Sequence, residues 1–262
     1  MNYYSVSRLI GSSDAAELIC SLTGKSREWL MLNRDWELPG NVADAARLVS
    51  SGTPLQYITG KAYFYGDRYF VSPDVLIPQP DTEHVVEAAL SLLSPGQFLV
   101  DLCTGSGCIA ISILKRRLIK AEAVDVSAPA LEVARKNAEL HKVLGRLKLT
   151  QLNVLTEDLS SLFAAADVVT ANPPYINSDL IDSLPADVQS EPRTALDGGS
   201  DGMDFYRRFL SFTTYMKPDA ALVFETGYDQ AARITALASE YSLHTQIKRD
   251  FGNNDRVAVI TK

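Results

Sequence analysis

Asn172-Pro173-Pro174-Tyr175 directly follows an apolar run, DVVTA. The two prolines fix φ and restrict the residue before each, so the chain here is stiff and extended. The Asn172 side-chain oxygen and the Pro173 carbonyl can then point together as two acceptors. Two fixed acceptors suit an NH2 group, such as an amide or the exocyclic amine of a base. Pro174 completes the rigid pair, and Tyr175 offers a flat face for stacking. An amide nitrogen is a poor nucleophile, because its lone pair is delocalised into the carbonyl. Acceptors on its N–H groups raise its electron density and aim it at an electrophile. Such positioning supplies up to roughly 7–11 kcal/mol in favourable systems. The bland alternative is a rigid turn after a strand.

A second group of residues belongs beside this tetrapeptide. Asp101-Leu-Cys-Thr-Gly-Ser-Gly-Cys-Ile-Ala110 joins a strand to a helix. Gly105 and Gly107 let the backbone pass close under a ligand, and the helix start behind them offers free N–H groups. Asp125 follows about twenty residues later at a strand end, where a carboxylate can accept from two ribose hydroxyls. By itself the loop fits either S-adenosylmethionine or a nicotinamide dinucleotide, since Gly105-Ser-Gly-Cys-Ile-Ala110 also satisfies G-x-G-x-x-A. The tetrapeptide favours methyl transfer over hydride transfer.

The elements that must position these groups follow from periodicity and turn residues. Strands are expected at 98–102, 121–125, 147–152, 167–171 and 220–225. Helices are expected at 81–93, 107–117, 128–142, 203–216 and 229–241. The last two strands, near 244–249 and 256–261, have too few residues between them for a helical crossover and must pair antiparallel. The alternation implies a doubly wound α/β sheet with its ligands at the strand C-termini. Ahead of it, three short helices form a small N-terminal bundle. The first is capped by Ser13 and ends near Gly24. The next carries Trp29, Leu30 and Leu32. The third starts at Asn41 with Ala45, Leu48 and Val49 inward. KAYFYGDRYFVSP then forms a β-hairpin turning at Gly66-Asp67, its aromatic residues making the hairpin core. The division is 1–60 helical, 61–76 linking hairpin and 77–262 catalytic.

Composition narrows the partners. The chain has 262 residues and a net charge of −7, without the basic surplus of a duplex-binding surface. Arg116, Arg117 and Lys120 read as a solvated helix end. Cys20, Cys103 and Cys108 form no disulfide or zinc pattern, which suits a reducing cytoplasm. No run approaches the roughly 20 apolar residues of a membrane span. His84, His141 and His244 lack metal spacing and read as surface or capping groups. The long segment 177–201, with Glu191, Asp197 and Asp201, is expected to be mobile or to touch substrate.

The chain closely resembles the HemK/PrmC family of protein-glutamine N5-methyltransferases. The resemblance rests on GTPLQYITG (52–60), VLIPQPDTE (75–83), DLCTGSGCIA (101–110), NPPYI (172–176), EPRTALDGGSDGMDFYRR (191–208) and NDRVAVI (254–260). NPPY alone also occurs in adenine-N6 and guanine-N2 nucleic-acid methyltransferases. The resemblance implies a Rossmann-like class I methyltransferase using S-adenosylmethionine; the cysteine and histidine spacing implies no metal. It also implies class I peptide release factors as partners, with the Gly-Gly-Gln glutamine beside NPPY; a monomer is expected. Carried over by position, Cys103, Thr104, Gly105, Ser106, Gly107, Asp125, Asn153, Val154 and Asn172 contact the cofactor. Asn172, Pro173, Pro174 and Tyr175 hold the glutamine, and Asn172, Pro173 and Tyr175 carry the catalytic role. Departures are Gln79 in place of the usual arginine, Asn153 in place of aspartate, Cys103 in place of glycine, and Thr226 where isoleucine is frequent.

Overall fold

A computed structural model describes residues 1–262. Five helices open the chain: α1 (Tyr3–Ile10), α2 (Ser12–Thr23), α3 (Arg27–Leu32), α4 (Gly40–Ser50) and α5 (Leu55–Thr59). They enclose their own core, with Val6, Leu18, Ile19, Leu30 and Val42 fully buried. Sequence periodicity gives only three of these helices. The Asn2 side chain caps α1 through Ser5 N–H, and Gly11, not Ser13, precedes α2. Gly24 ends α2 in the left-handed conformation, as expected from glycine there. Leu32 and Leu48 point outward, 86% and 53% exposed.

The hairpin follows as β1 (Lys61–Phe64) and β2 (Asp67–Phe70). It turns at Tyr65-Gly66, both at positive φ, one residue earlier than expected. Phe64 and Tyr69 are buried in the core of the following sheet, whereas Tyr63 faces solvent. Asn137 ties the hairpin down. Its side chain accepts from Phe70 N–H at 2.7 Å and donates to Phe70 O at 3.0 Å and Ser106 O at 2.9 Å.

The rest is one seven-stranded sheet. In chain order it contains α6 (Glu83–Leu92), β3 (Phe98–Leu102), α7 (Cys108–Arg116), β4 (Lys120–Asp125), α8 (Ala128–Leu140), β5 (Leu147–Gln151), α9 (Ser160–Ala165) and β6 (Val168–Ala171). Then come α10 (Ala186–Gln189), α11 (Asp204–Leu210), β7 (Ala221–Glu225), α12 (Ala231–Glu240), β8 (His244–Arg249) and β9 (Asp255–Thr261). The strand order is β5-β4-β3-β6-β7-β9-β8; the first five strands run parallel, and β9 is antiparallel to both neighbours. The chain leaves β3 outward to β4 and β5, then returns to β6. That reversal creates a crevice above the C-termini of β3 and β6, the usual ligand position in such sheets. Strands β6 and β7 are buried along their whole length, because helices cover both faces. Helix α9 does not follow from the sequence pattern, having only six residues. The expected helix 203–216 stops at Leu210 and continues as a separate 3-10 turn. No helix is long and apolar enough to cross a membrane.

Candidate active site

A cavity of about 340 Å³ opens at this crevice. Of the residues expected in the site, Cys103, Thr104, Gly105, Ser106, Asp125, Asn153, Val154, Asn172 and Pro174 line it. Gly107, Pro173 and Tyr175 do not. Gly107 starts α7 at φ +79, and a Cβ there would sit 2.9 Å from Ile111 Cδ1 and 3.2 Å from Ala134 Cβ. Packing of α7 on α8 therefore demands that glycine, rather than close ligand approach. At Gly105, with φ +53, a Cβ would meet nothing within 4 Å, so the space it leaves belongs to the cavity.

Buried carboxylates build the loop. Asp101 ends in a fully buried position on β3, beside Thr170 on β6. Its oxygens accept from Thr104 Oγ1 at 2.5 Å and Thr170 Oγ1 at 2.6 Å. Burial pushes its carboxyl up to about 6, against those hydroxyls, which lower it. Asp125 accepts Gly105 N–H at 2.8 Å through Oδ2 and Ser127 N–H at 2.9 Å through Oδ1. It thus fixes the loop and still presents lone pairs to the cavity. Burial raises its carboxyl too, and the backbone N–H groups hold it down. Cys103 sits at φ +56, a conformation that suits the glycine usual there. Burial drives its thiol upward, away from thiolate chemistry.

The far wall combines Val126, Asn153, Val154, Leu155 and Phe205. Asn153 Oδ1 accepts Leu155 N–H at 3.0 Å, so the free end of the carboxamide is its NH2, where aspartate would present an acceptor. Gln79 also lines the cavity as a neutral group.

Asn172 belongs to a network that sequence reasoning does not reveal. Its Nδ2 donates to Thr82 Oγ1 at 3.1 Å. Thr82 in turn donates to Glu225 Oε2 at 2.5 Å. Neither Asn172 Oδ1 nor the Pro173 carbonyl accepts a hydrogen bond within the chain. Tyr175, expected to stack on substrate, instead packs against the core on that face and donates its hydroxyl to Glu225 Oε1 at 3.4 Å. Its carbonyl accepts Gln230 Nε2 at 2.9 Å.

The segment after NPPY is folded back over it. Ile176 pairs with Asp197, and Pro192, Thr194, Ala195 and Asp197 line the cavity. Glu191 accepts Ile77 N–H at 2.9 Å, and burial pushes its carboxyl up to about 7. Ser190 Oγ donates to Gly52 O at 3.3 Å, tying the segment to the N-terminal helices. Arg116 and Arg117 are not merely solvated. Arg116 donates to Tyr65 O in the hairpin turn, and Arg117 donates to the Leu90 and Leu93 carbonyls at the end of α6. His141 meets Arg68 O at 2.9 Å, and His84 pairs with Glu87. The Thr226 hydroxyl is buried without a partner.

A seven-stranded sheet ending antiparallel, with a glycine loop, an acidic β4 terminus and NPPY after β6, defines a class I methyltransferase. A solved methyltransferase from Pyrococcus furiosus shares this fold, with TM-score 0.55 and 16% identity over 75% of this chain and 89% of that one. A family model described as ribosomal protein L11 methyltransferase (PrmA) matches residues 79–197. The chain belongs to the release factor glutamine methyltransferase family. It is 34% identical to the release factor glutamine methyltransferase of Clostridium acetobutylicum over 95% of this chain and 90% of that protein. The Moorella thermoacetica enzyme of the same name is 40% identical over 90% and 85%. A ribosomal protein uL3 glutamine methyltransferase from Bordetella pertussis is 39% identical over 70% and 63%. The dehydrogenase alternative falls with these findings.

Proposed function

We propose that this enzyme transfers a methyl group from S-adenosylmethionine to the N5 amide nitrogen of the glutamine in the Gly-Gly-Gln motif of class I release factors. One observation carries the reading. Asn172 is held by its NH2 end, which leaves its oxygen and the Pro173 carbonyl without internal donors. Two free acceptors match the two N–H groups of a primary amide. The relatives' names favour this protein amide over a nucleic-acid amine.

The cavity fits the cofactor by its own chemistry. Asp125 offers a carboxylate for ribose hydroxyls, Gly105 leaves its side open, and apolar Val154 and Phe205 suit a flat base. Cys103, Thr104, Ser106, Asn153 and Asn172 complete the contacts, with Gly107 holding the helix behind. When bound, the cofactor supplies an electrophilic sulfonium methyl. Asn172 and Pro173 accept the amide protons, raise the nitrogen's electron density and orient it. The amide nitrogen would take that methyl from the sulfonium sulfur and release one of its protons to solvent. Pro174 stiffens the pair, and Tyr175 supports it from behind.

The three-part organisation assigns 1–60 to docking the release factor, 61–76 to linkage and 77–262 to catalysis. The separate core of the helical part and the Ser190–Gly52 contact support it. The enzyme acts as a cytoplasmic monomer, without metal.

Labelled-methyl transfer to purified release factor, protein uL3, DNA and RNA in parallel tests the reading. Label is expected on the release-factor glutamine; label only on nucleic acid refutes it, and label on uL3 alone moves the substrate to the ribosome. Asn172→Ala should lower turnover by orders of magnitude while S-adenosylhomocysteine still binds. Asn172→Asp should retain more activity than alanine, because it keeps an acceptor.

A further inference from the structure

Thr82 and Glu225 lie beneath Asn172, 2% and 3% exposed, and reach it from distant parts of the fold. Thr82 ends the short 3-10 turn before α6, and Glu225 is the last residue of β7. The three side chains form a file: Asn172 Nδ2 to Thr82 Oγ1, then Thr82 to Glu225 Oε2.

Hydrogen-bond inventory gives this file a direction. A carboxylate has only lone pairs, and a hydroxyl has one proton. Thr82 gives that proton to Glu225 and keeps only lone pairs for Asn172. A carboxamide can approach lone pairs only through its NH2. The Asn172 oxygen therefore turns the other way, toward the substrate. The two ends of a carboxamide have nearly the same shape, so shape alone cannot choose between them. A half-turn would set the Asn172 NH2 against the substrate NH2, donor against donor.

We infer that Thr82 and Glu225 are positioning residues that aim the Asn172 oxygen at the substrate amide, and that Glu225 must act as an acceptor for turnover. This rests on the glutamine-methylation reading above. Several ionisable groups surround Glu225. Arg256 from β9 favours its charged form, and Asp81 from the turn before α6 opposes it. Tyr175 donates to it after β6, while Tyr206 of α11 and Cys108 of α7 face it from the helices. Burial is the largest influence and pushes the carboxyl up to about 7. Once protonated, Glu225 can donate to Thr82. Thr82 can then donate to Asn172 Oδ1, and the carboxamide turns over. Protonation reverses the sense of the whole file.

The test uses the full chain, a release factor and labelled S-adenosylmethionine. Thr82→Val removes the hydroxyl at constant shape, and Thr82→Ser keeps it. Thr82→Val should lower kcat/KM by roughly 10- to 100-fold, the worth of one misdirected hydrogen bond. S-adenosylhomocysteine affinity should stay within about twofold, and Thr82→Ser should restore activity. In the Asn172→Asp background both ends of the side chain are acceptors, so orientation no longer matters. There Thr82→Val should cost less than about threefold, whereas a packing role would cost the same in both backgrounds. Wild-type kcat/KM should also fall as pH drops through about 7, and Glu225→Gln should abolish that limb because glutamine does not titrate. The pH comparison decides the matter if the valine variant does not fold. Equal losses in both backgrounds, undiminished turnover by a folded Thr82→Val, or the same acid limb in Glu225→Gln overturns the inference alone. Failure of the wild type to methylate glutamine overturns the function and the inference together.

Discussion

Adding one methyl group at Gly198 should disable chemistry without touching the cofactor. A Cβ built on Gly198 lies 2.7 Å from Tyr175 Cα and 2.9 Å from both Pro174 O and Tyr175 C. Ordinary contact begins at 3.4 Å, so NPPY must retreat by several tenths of an ångström. Neither side can yield freely. Gly198 N–H donates to Ile176 O at 2.8 Å, and Ile176 N–H donates to Leu196 O at 3.0 Å. These bonds staple the two segments, and the prolines transmit the push to Asn172. A misplacement near 1 Å costs about 100-fold, so Gly198→Ala should lower kcat by roughly 10- to 100-fold. Overpacking should also cost about 1–3 kcal/mol of stability. Gly145→Ala is the control, since no atom lies within 4 Å of its Cβ and its φ is ordinary. Single-turnover methyl transfer reads the chemistry, and calorimetry with S-adenosylhomocysteine reads the cofactor site. A folded Gly198→Ala enzyme with wild-type kcat would refute the claim that this loop sets the position of NPPY.

Three further perturbations probe the buried polar groups. Asp125→Ala removes an acceptor from the cavity and frees the Gly105 and Ser127 N–H groups; calorimetry should show S-adenosylhomocysteine binding weakened by roughly 1.5–3 kcal/mol per charge-assisted bond lost. Thr226→Val deletes a buried hydroxyl that has no partner, and urea unfolding should show a gain of about 1 kcal/mol. Glu225 is held near 7 in the fold against an ordinary value of 4.5. The folded state therefore binds the extra proton, and the stabilisation is full below 4.5 and lost as pH rises through 7. Unfolding free energy should fall by about 2–3 kcal/mol from this group between pH 5 and pH 8. Glu225→Gln should remove that part of the slope; an unchanged slope would mean that Glu225 does not titrate there.

Legibility in the sequence tracks how far apart the interacting residues lie. FLVDL reads as β3 with its true ends because burial on both faces imposes a run that is apolar but for Asp101. The terminal pair β8–β9 follows from a connection too short for a crossover. Helix α1 escapes because YYSVSRLI begins with aromatic and β-branched residues, and its start signal is one asparagine at position 2. Within the site, the glycine loop, Asp125 and Asn172 carry local signatures, and the cavity gathers them. Glu225 has none. In ALVFE it reads as the polar end of a strand, and its partner Thr82 stands 143 positions away. Tyr175 shows the converse: the motif suggests a ring stacked on substrate, yet its hydroxyl turns inward to Glu225. A motif names the atoms that meet the ligand. The buried acid that decides which way those atoms face enters only when the strands are laid side by side.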